Sequence, residues 1–287
     1  MIDRRFMLAA IPALLIAARK PPPPLDLTAA VNAAETTTGG RVGLSVHDTA
    51  TGRRFSHRGT ELFPMASTFK ALLAAAVLER VDAGTESLAR AIPVAAGDIV
   101  SNSPVSAKHV GGTATVGELA EATVIYSDNT AANLLLPAVG GPAGFTAFMR
   151  RIGDKVTRLD RFETMMSEAL PGDPRDTTSP DAMAASFQRV LLGDVLTPAS
   201  RDQLSRWLIG NTTGDTRLRA GLPQGWIVGD KTGTGGHGTV NDIAIVWPKR
   251  AGDKPVIIAS LINGATASAD ISYKAHADLA RAVAAAL

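Results

Sequence analysis

The chain has 287 residues, 45% hydrophobic and 20% charged, which is enough apolar material for one large core or two moderate ones. Its formal charge is +2, but four basic residues and one acidic residue among the first twenty contribute +3, so the remainder carries −1. That balance, with no basic residues interleaved with aromatic ones, argues against a nucleic-acid partner. With no cysteine and five scattered histidines, we expect neither a metal nor a cofactor.

Residues 1–20, MIDRRFMLAAIPALLIAARK, have the pattern of an export signal. Arg4 and Arg5 precede an apolar run over residues 6–18, which is too short to span a bilayer. The arginine pair followed by Phe-Met-Leu resembles a twin-arginine signal, and a short membrane anchor is the alternative. We therefore expect a periplasmic or secreted protein after signal cleavage, with the prolines at 21–24 forming a stiff spacer.

Strand patterns lie at both ends of the chain. Residues 41–58 alternate apolar and polar positions around a Thr-Gly turn and predict a hairpin. Windows rich in alanine and leucine across residues 61–208 predict helices, among them VGELAEATVIY, NTAANLLLPAV, FTAFMRRI and PDAMAASFQRVLL. From about residue 225 the period of two returns in GWIVGDKTG, TVNDIAIVWP and KPVIIASLIN, and residues 270–287 predict a closing helix.

This order predicts an α+β protein with two lobes. Residues 21–60 and 209–287 would build one sheet from both termini, flanked by helices, and residues 61–208 an all-helical lobe. Residues 161–176, RFETMMSEALPGDPRD, are too polar and too broken by proline and glycine for a helix. Compact loops of this length are usually functional, and crevices between lobes often hold sites.

The stretch PMASTFK, followed by ALLAAAVLERV, places Ser67 and Lys70 at the start of an apolar helix. A serine suits a first turn, whereas a lysine there is at the unfavourable end of the helix dipole. The two side chains lie about one turn apart on one face. They are either a cap and a lysine that reaches water, or a nucleophile and its base.

Three further motifs bear on that choice: SDN at residues 127–129, KTG at residues 231–233, and Arg161 with Glu163 opening the long loop. Each has a simple explanation alone, respectively a helix cap, a strand-end turn and a surface ion pair. All four together resemble the class A serine β-lactamases among the penicillin-recognising serine enzymes. The resemblance covers the chain after the signal and includes TAANLLL, PGDPRDTTSP and GTVNDIAIVWP.

The resemblance implies a β-lactamase/transpeptidase-like fold with an antiparallel sheet. It also implies a monomer that hydrolyses small-molecule β-lactams and confers antibiotic resistance without cofactor or metal. A serine hydroxyl needs a base within hydrogen-bond reach, and desolvation can drive Lys70 toward neutrality, or the lysine can stay charged and organise a water. By resemblance Ser67 is the nucleophile, Ser127 carries a proton to the leaving nitrogen, and Glu163 activates the deacylating water.

Further residues are implied to hold the substrate or the loop. Lys231 would bring positive charge to the Ser127 hydroxyl and to the substrate carboxylate. Backbone amides of Ser67 and Thr234 would form an oxyanion hole, and Arg161 with Asp176 an ion pair that pins the 161–176 omega-type loop. The remaining substrate-binding residues implied are Asn129, Ser167, Arg217, Thr232, Gly233 and Thr234.

The chain departs from the family pattern at four positions. Ser167 replaces a water-binding asparagine, and Thr164 replaces a proline after the glutamate. Asn102 stands where many relatives have an aromatic residue. Val240 stands where part of the family has an arginine for the substrate carboxylate, for which Arg217 would substitute, unless it is only a solvent-exposed arginine.

Two other functions stay open: a penicillin-binding or sensing domain that remains acylated, and a D-alanyl-D-alanine carboxypeptidase. Glu163 argues against both because those proteins lack the water-activating loop, whereas Ser167 keeps the first open. The KTGTGG stretch resembles branches that hydrolyse cephalosporins and carbapenems. We expect penicillins and cephalosporins as substrates, with carbapenems a further candidate that the sequence does not rank.

Overall fold

The computed structural model describes residues 23–249 and 254–287, so the predicted export signal lies outside the described residues. The helices of this part are α1 (Thr28–Thr38), α2 (Phe69–Asp82), α3 (Val116–Ile125), α4 (Asn129–Leu135), α5 (Gly141–Arg151), α6 (Pro180–Leu192), α7 (Pro198–Ile209), α8 (Leu218–Gly221) and α9 (Ala269–Ala286). The strands are β1 (Arg41–Asp48), β2 (Arg54–His57), β3 (Phe63–Pro64), β4 (Ala91–Pro93), β5 (Thr113–Thr115), β6 (Thr177–Thr178), β7 (Ile227–Gly235), β8 (Thr239–Trp247) and β9 (Val256–Asn263).

Five strands form one antiparallel sheet in the order β2-β1-β9-β8-β7. The N-terminal hairpin joins the C-terminal strands through β1 and β9, so both ends of the chain build one sheet, as the sequence predicts. Strand β9 and the second half of β8 are almost continuously apolar, which agrees with the burial of both of their faces. One face packs on α1, α8 and α9, and the other packs on the helical part of the chain.

Helix α2 runs through the centre of the helical part. Its residues 69–78 are all buried, which agrees with a sequence that is apolar on nearly every face. A helix packed on all sides offers a lysine no route to water. The position of Lys70 within this buried run therefore takes its side chain into the protein interior.

Two features differ from the sequence-based expectation. Helix α1 was not predicted, and it packs against α9 and β1. The expectation of an all-helical lobe over residues 61–208 also needs correction, because this segment contains the two-stranded pairs β3–β6 and β4–β5. These strands have two or three residues each, too few for an alternating pattern to mark them.

Among the described residues no single helix has the length and hydropathy needed to cross a membrane. One sharply bent pair, Asn129–Val139 with Gly141–Arg151, meets those two criteria only when its members are taken together.

Candidate active site

A cavity of about 380 Å³ opens where β7, the start of α2 and the 161–176 loop meet. It brings together most of the side chains singled out in the sequence, while Lys70 and Lys231 lie fully buried next to them. The residues lining it are Ser67, Ser101, Asn102, Ser127, Asn129, Glu163, Thr164, Ser167, Thr213, Arg217, Thr232, Gly233 and Thr234.

One carboxylate oxygen joins the serine and the lysine. Ser67 lies in a 3₁₀ turn, Ala66–Thr68, and makes no capping bond; its hydroxyl donates instead to Glu163 Oε1 at 3.1 Å. Lys70 Nζ lies 3.1 Å from the same oxygen, and both charged side chains are almost completely buried. The geometry therefore favours a nucleophile with a base over a cap with a solvent-seeking lysine.

Lys70 also contacts the SDN motif. Its ammonium donates to the Ser127 carbonyl at 2.8 Å, lies 3.5 Å from the Ser127 hydroxyl, and bonds to Asn129 Oδ1. Burial lowers the pKa of Lys70, and the negative charge of Glu163 opposes that shift. This lysine is thus closer to releasing its proton than an exposed one would be.

Lys231 shares the buried region but has a different partner. Burial and the charge of Lys70 lower the pKa of Lys231 to about 7, with Asp230 acting in the opposite direction. Its ammonium donates to the Thr232 carbonyl at 3.0 Å. Within the described residues it makes no hydrogen bond to the Ser127 hydroxyl, so the expected contact between these two groups is not formed in this structure.

The middle residue of SDN is a structural anchor. Asp128 caps α4 by accepting from the Ala131 amide at 2.8 Å. The same carboxylate accepts from the amides of Val105 and Ser106, each at 2.9 Å, and so fixes the loop that forms the opposite cavity wall. The cap interpretation of this motif is therefore right for Asp128, while its two neighbours line the cavity.

The glycine of KTG lets β7 run directly against the turn that carries Ser67. A Cβ on Gly233 would lie 2.8 Å from the Met65 carbonyl oxygen and 3.2 Å from the Ser67 amide nitrogen. A Cβ on Gly235 would lie 2.7 Å from the Ser167 carbonyl oxygen. Since real Cβ atoms avoid such distances, these glycines set the close approach of the strand to both the nucleophile turn and the long loop.

Glu163 is held from two sides. Asn133 on α4 accepts from the Glu163 amide at 2.9 Å and donates to its carbonyl at 2.8 Å, next to a cis peptide bond between Glu163 and Thr164. The Ser167 hydroxyl donates to Glu163 Oε2 at 3.0 Å. Sequence reasoning missed Asn133, although an amide inside the apolar stretch TAANLLL was a signal that could have identified it.

An ion pair closes the base of the long loop. Arg161 Nε donates to Asp176 Oδ2 at 2.6 Å, and the amides of Asp160 and Arg161 donate to the other oxygen of that carboxylate at 2.7 and 3.0 Å. The carboxylate is fully buried. The two ends of the loop are therefore tied by three hydrogen bonds to one side chain.

Arg217 enters the site from beneath β7 and is only 5% exposed. Its guanidinium donates to the carbonyls of Gly233 and Asn241 at 3.0 and 2.7 Å and to Thr234 Oγ1 at 2.7 Å. The solvent-exposed alternative for this arginine is wrong, because packing takes it under the strand. Val240 lies opposite Thr234 in the β7–β8 register. An arginine at position 240 would therefore start from the same part of the site that the Arg217 guanidinium reaches.

The sequence profile of the "Beta-lactamase enzyme family" matches residues 26–287. Among solved structures, an ancestral class A beta-lactamase (GNCA) superposes with a TM-score of 0.89 at 57% identity, covering 91% of this chain and 100% of that one. This chain belongs to the class A β-lactamase family.

Individual β-lactamases are similar over most of their length. Beta-lactamase L2 of Stenotrophomonas maltophilia is 50% identical over 274 residues, 93% of this chain and 89% of that protein. Beta-lactamase CTX-M-8 of Citrobacter amalonaticus is 45% identical over 235 residues, 82% and 80% of the two chains. The structure of a β-lactamase from Xanthomonas campestris pv. campestris matches with a TM-score of 0.88 at 50% identity, covering 90% and 96%.

The cavity of this β-lactamase also contains Thr213, which sequence reasoning missed. Its hydroxyl lies 2.5 Å from that of Thr232, so a loop outside every motif orients a KTG side chain. Within the described ranges no group of three or more histidine, aspartate or glutamate side chains is arranged to hold a metal ion.

Proposed function

We propose that the chain hydrolyses the β-lactam amide of penicillins and cephalosporins through an acyl-enzyme on Ser67, with carbapenems a further candidate. The observation that carries the proposal is the single oxygen of Glu163 shared by Ser67 and Lys70 at 3.1 Å each. A hydroxyl so placed can give up its proton as it attacks a carbonyl.

In acylation, the Ser67 oxygen forms a bond to the lactam carbonyl carbon and its proton passes to the Lys70–Glu163 pair. The carbon–nitrogen bond then breaks, and the leaving nitrogen takes a proton delivered through the Ser127 hydroxyl, which Lys70 approaches to 3.5 Å. Backbone amides of Ser67 and Thr234 would stabilise the negative charge that develops on the carbonyl oxygen.

In deacylation, a water held between Glu163 and Ser167 attacks the ester. Glu163 takes a proton from that water, the bond to Ser67 breaks, and the serine oxygen recovers a proton. Support for this step comes from the Ser167 hydroxyl, which lies 3.0 Å from the second oxygen of Glu163 and provides a further polar group beside the ester. A group of this kind separates a hydrolase from a protein that stays acylated.

The substrate carboxylate would bind at the open side of β7. Arg217 and Lys231 would supply positive charge there, and Thr232, Gly233 and Thr234 the strand edge, while Asn129 lines the same cavity. Arg217 donates to Thr234 Oγ1 at 2.7 Å, so only the Thr234 side chain separates the guanidinium charge from the proposed carboxylate site.

Nitrocefin turnover tests the proposal. Many cycles per enzyme, abolished by Ser67→Ala, are expected of a hydrolase. A single burst that leaves the protein acylated would instead favour a sensing domain. Release of D-alanine from a D-alanyl-D-alanine peptide, faster than lactam hydrolysis, would favour a carboxypeptidase.

We further propose a monomer that is exported to the periplasm or the exterior and confers antibiotic resistance. In this proposal residues 21–60 with 209–287 form one lobe and residues 61–208 the other. The support for export is the arginine pair and apolar run in residues 1–20. Deletion of these residues should abolish resistance of intact cells while leaving activity in the lysate, and light scattering of the mature protein should give one-chain mass.

A further inference from the structure

The guanidinium of Arg217 is buried and forms no ion pair with any acidic side chain in the described part of the chain. Three of its contacts are to oxygen atoms that carry no formal charge, on Gly233, Asn241 and Thr234. Its Nε is buried and has no acceptor, and within the described residues no carboxylate forms an ion pair with it, although the buried Asp242 lies close enough for the two charges to interact. Buried arginines are normally paired directly with carboxylates, so we expect a further group to help stabilise this charge.

The aromatic face of Tyr273 is that group. Tyr273 lies on α9, and the centre of its ring is 4.3 Å from Arg217 Cζ, well within the range of a cation–π interaction. One turn farther along α9, the buried His276 contacts the Val240 carbonyl at 3.1 Å. Helix α9 thus packs against the back of the strand position opposite Thr234, and the ring is held there by the fold.

We propose that Tyr273 is a positioning residue for substrate binding, whose ring fixes the Arg217 guanidinium at Thr234 without adding a negative charge. A carboxylate in the same place would hold the arginine equally well, but it would neutralise the charge that attracts the substrate anion. A ring quadrupole stabilises the cation without adding a negative charge. The inference rests on the proposed function, in which Arg217 binds the substrate carboxylate.

The test compares Tyr273→Leu with Tyr273→Phe in steady-state hydrolysis of a penicillin. Tyr273→Leu should raise KM about 2- to 30-fold, the range that corresponds to a cation–π contact, with a much smaller change in kcat. Tyr273→Phe retains the ring face and should restore the wild-type KM. Lys274→Leu, at the adjacent exposed position of α9, is the matched control and should leave KM unchanged.

A double-mutant cycle separates positioning from general damage. In an Arg217→Ala background, Tyr273→Leu should have no further effect on KM, because its action passes through the arginine. A β-lactam and its carboxylate ester provide a second readout: Tyr273→Leu should reduce the preference for the free acid. If Tyr273→Leu folds poorly, Tyr273→Met takes its place, because it also removes the ring while its flexible, unbranched side chain can adapt to the space left.

The outcomes distinguish this inference from the proposed function. If wild-type protein does not turn over any β-lactam, the proposed function fails. If wild-type protein is active and Tyr273→Leu or Tyr273→Met keeps its KM and its preference for the acid, the positioning role of Tyr273 is wrong. An equal loss with and without Arg217 would likewise overturn it.

Discussion

Acidification should destabilise the protein through His276. This side chain is fully buried between β8, β9 and α9, where the Ser260 hydroxyl lies 2.8 Å from Nδ1 and the Val240 carbonyl 3.1 Å from Nε2. Burial, together with the nearby charge of Arg217, lowers the pKa of His276 from 6.5 to about 3. The folded protein therefore keeps this imidazole neutral at pH values where the unfolded chain protonates it.

The sign and size of this pH effect on the free energy of unfolding follow from proton linkage. Because the folded pKa is the lower one, the stability contribution is complete above about pH 6.5 and is lost as the pH falls toward 3. Each pH unit in that window costs about 1.4 kcal/mol, so a drop from about pH 6.5 to about pH 5 should cost roughly 2 kcal/mol. Since the two aspartates with raised pKa, Asp230 and Asp242, are present in every variant, their opposite contribution cancels in a comparison.

The assay is urea unfolding followed by tryptophan fluorescence at about pH 7 and about pH 5. His276→Asn removes the titrating ring and should lose roughly 2 kcal/mol less than wild type between the two pH values. His237→Asn changes an exposed histidine and should follow wild type. If wild type and His276→Asn lost the same free energy of unfolding on acidification, the buried neutral imidazole would not be the cause.

Three further predictions concern the cavity. Glu163→Ala should acylate and then stall, so that mass spectrometry shows the protein plus one intact penicillin; continued fast turnover would contradict its role in deacylation. Arg217→Ala should raise KM by the equivalent of about 1.5–3 kcal/mol, the loss of a charged hydrogen bond, and an unchanged KM would show that Lys231 and the threonines suffice. Ser167→Asn should raise kcat for penicillins and lower it for carbapenems, because the longer amide holds the water nearer the ester but crowds a bulky acyl group. Presteady-state rates that change with the same sign for both drugs would reject that account of Ser167.

Strong periodicity made most of the fold predictable. The hairpin, the closing helix and the strands that became β7, β8 and β9 were all evident from the sequence, because alternation and amphipathic spacing report directly on burial. Helix α1 was missed because its sequence, TAAVNAAETTT, has few large apolar residues and ends in three threonines that disfavour helices. Its stability comes from packing on α9, which no local pattern reveals.

The site was predictable only where motifs exist. Ser67 and Lys70 were found from their spacing, but the bidentate grip of Asn133 on Glu163 joins residues thirty positions apart. Thr213 and Tyr273 belong to no motif and reach the site through tertiary packing alone. The direction of the Lys231 ammonium depends on a side-chain rotamer within a buried region, which sequence spacing does not determine.

The short β3–β6 pair has a consequence for engineering the cavity. Phe63 and Pro64 pair with the threonines that end the long loop, and the Met65 amide donates to the Asp176 carbonyl at 2.9 Å. The segment that leads into the turn carrying Ser67 is therefore hydrogen-bonded to the segment that leaves the loop carrying Glu163. A 161–176 loop transplanted from another protein would therefore support activity only if it also brought a strand that pairs with β3 as β6 does. The position of the loop depends on that pairing.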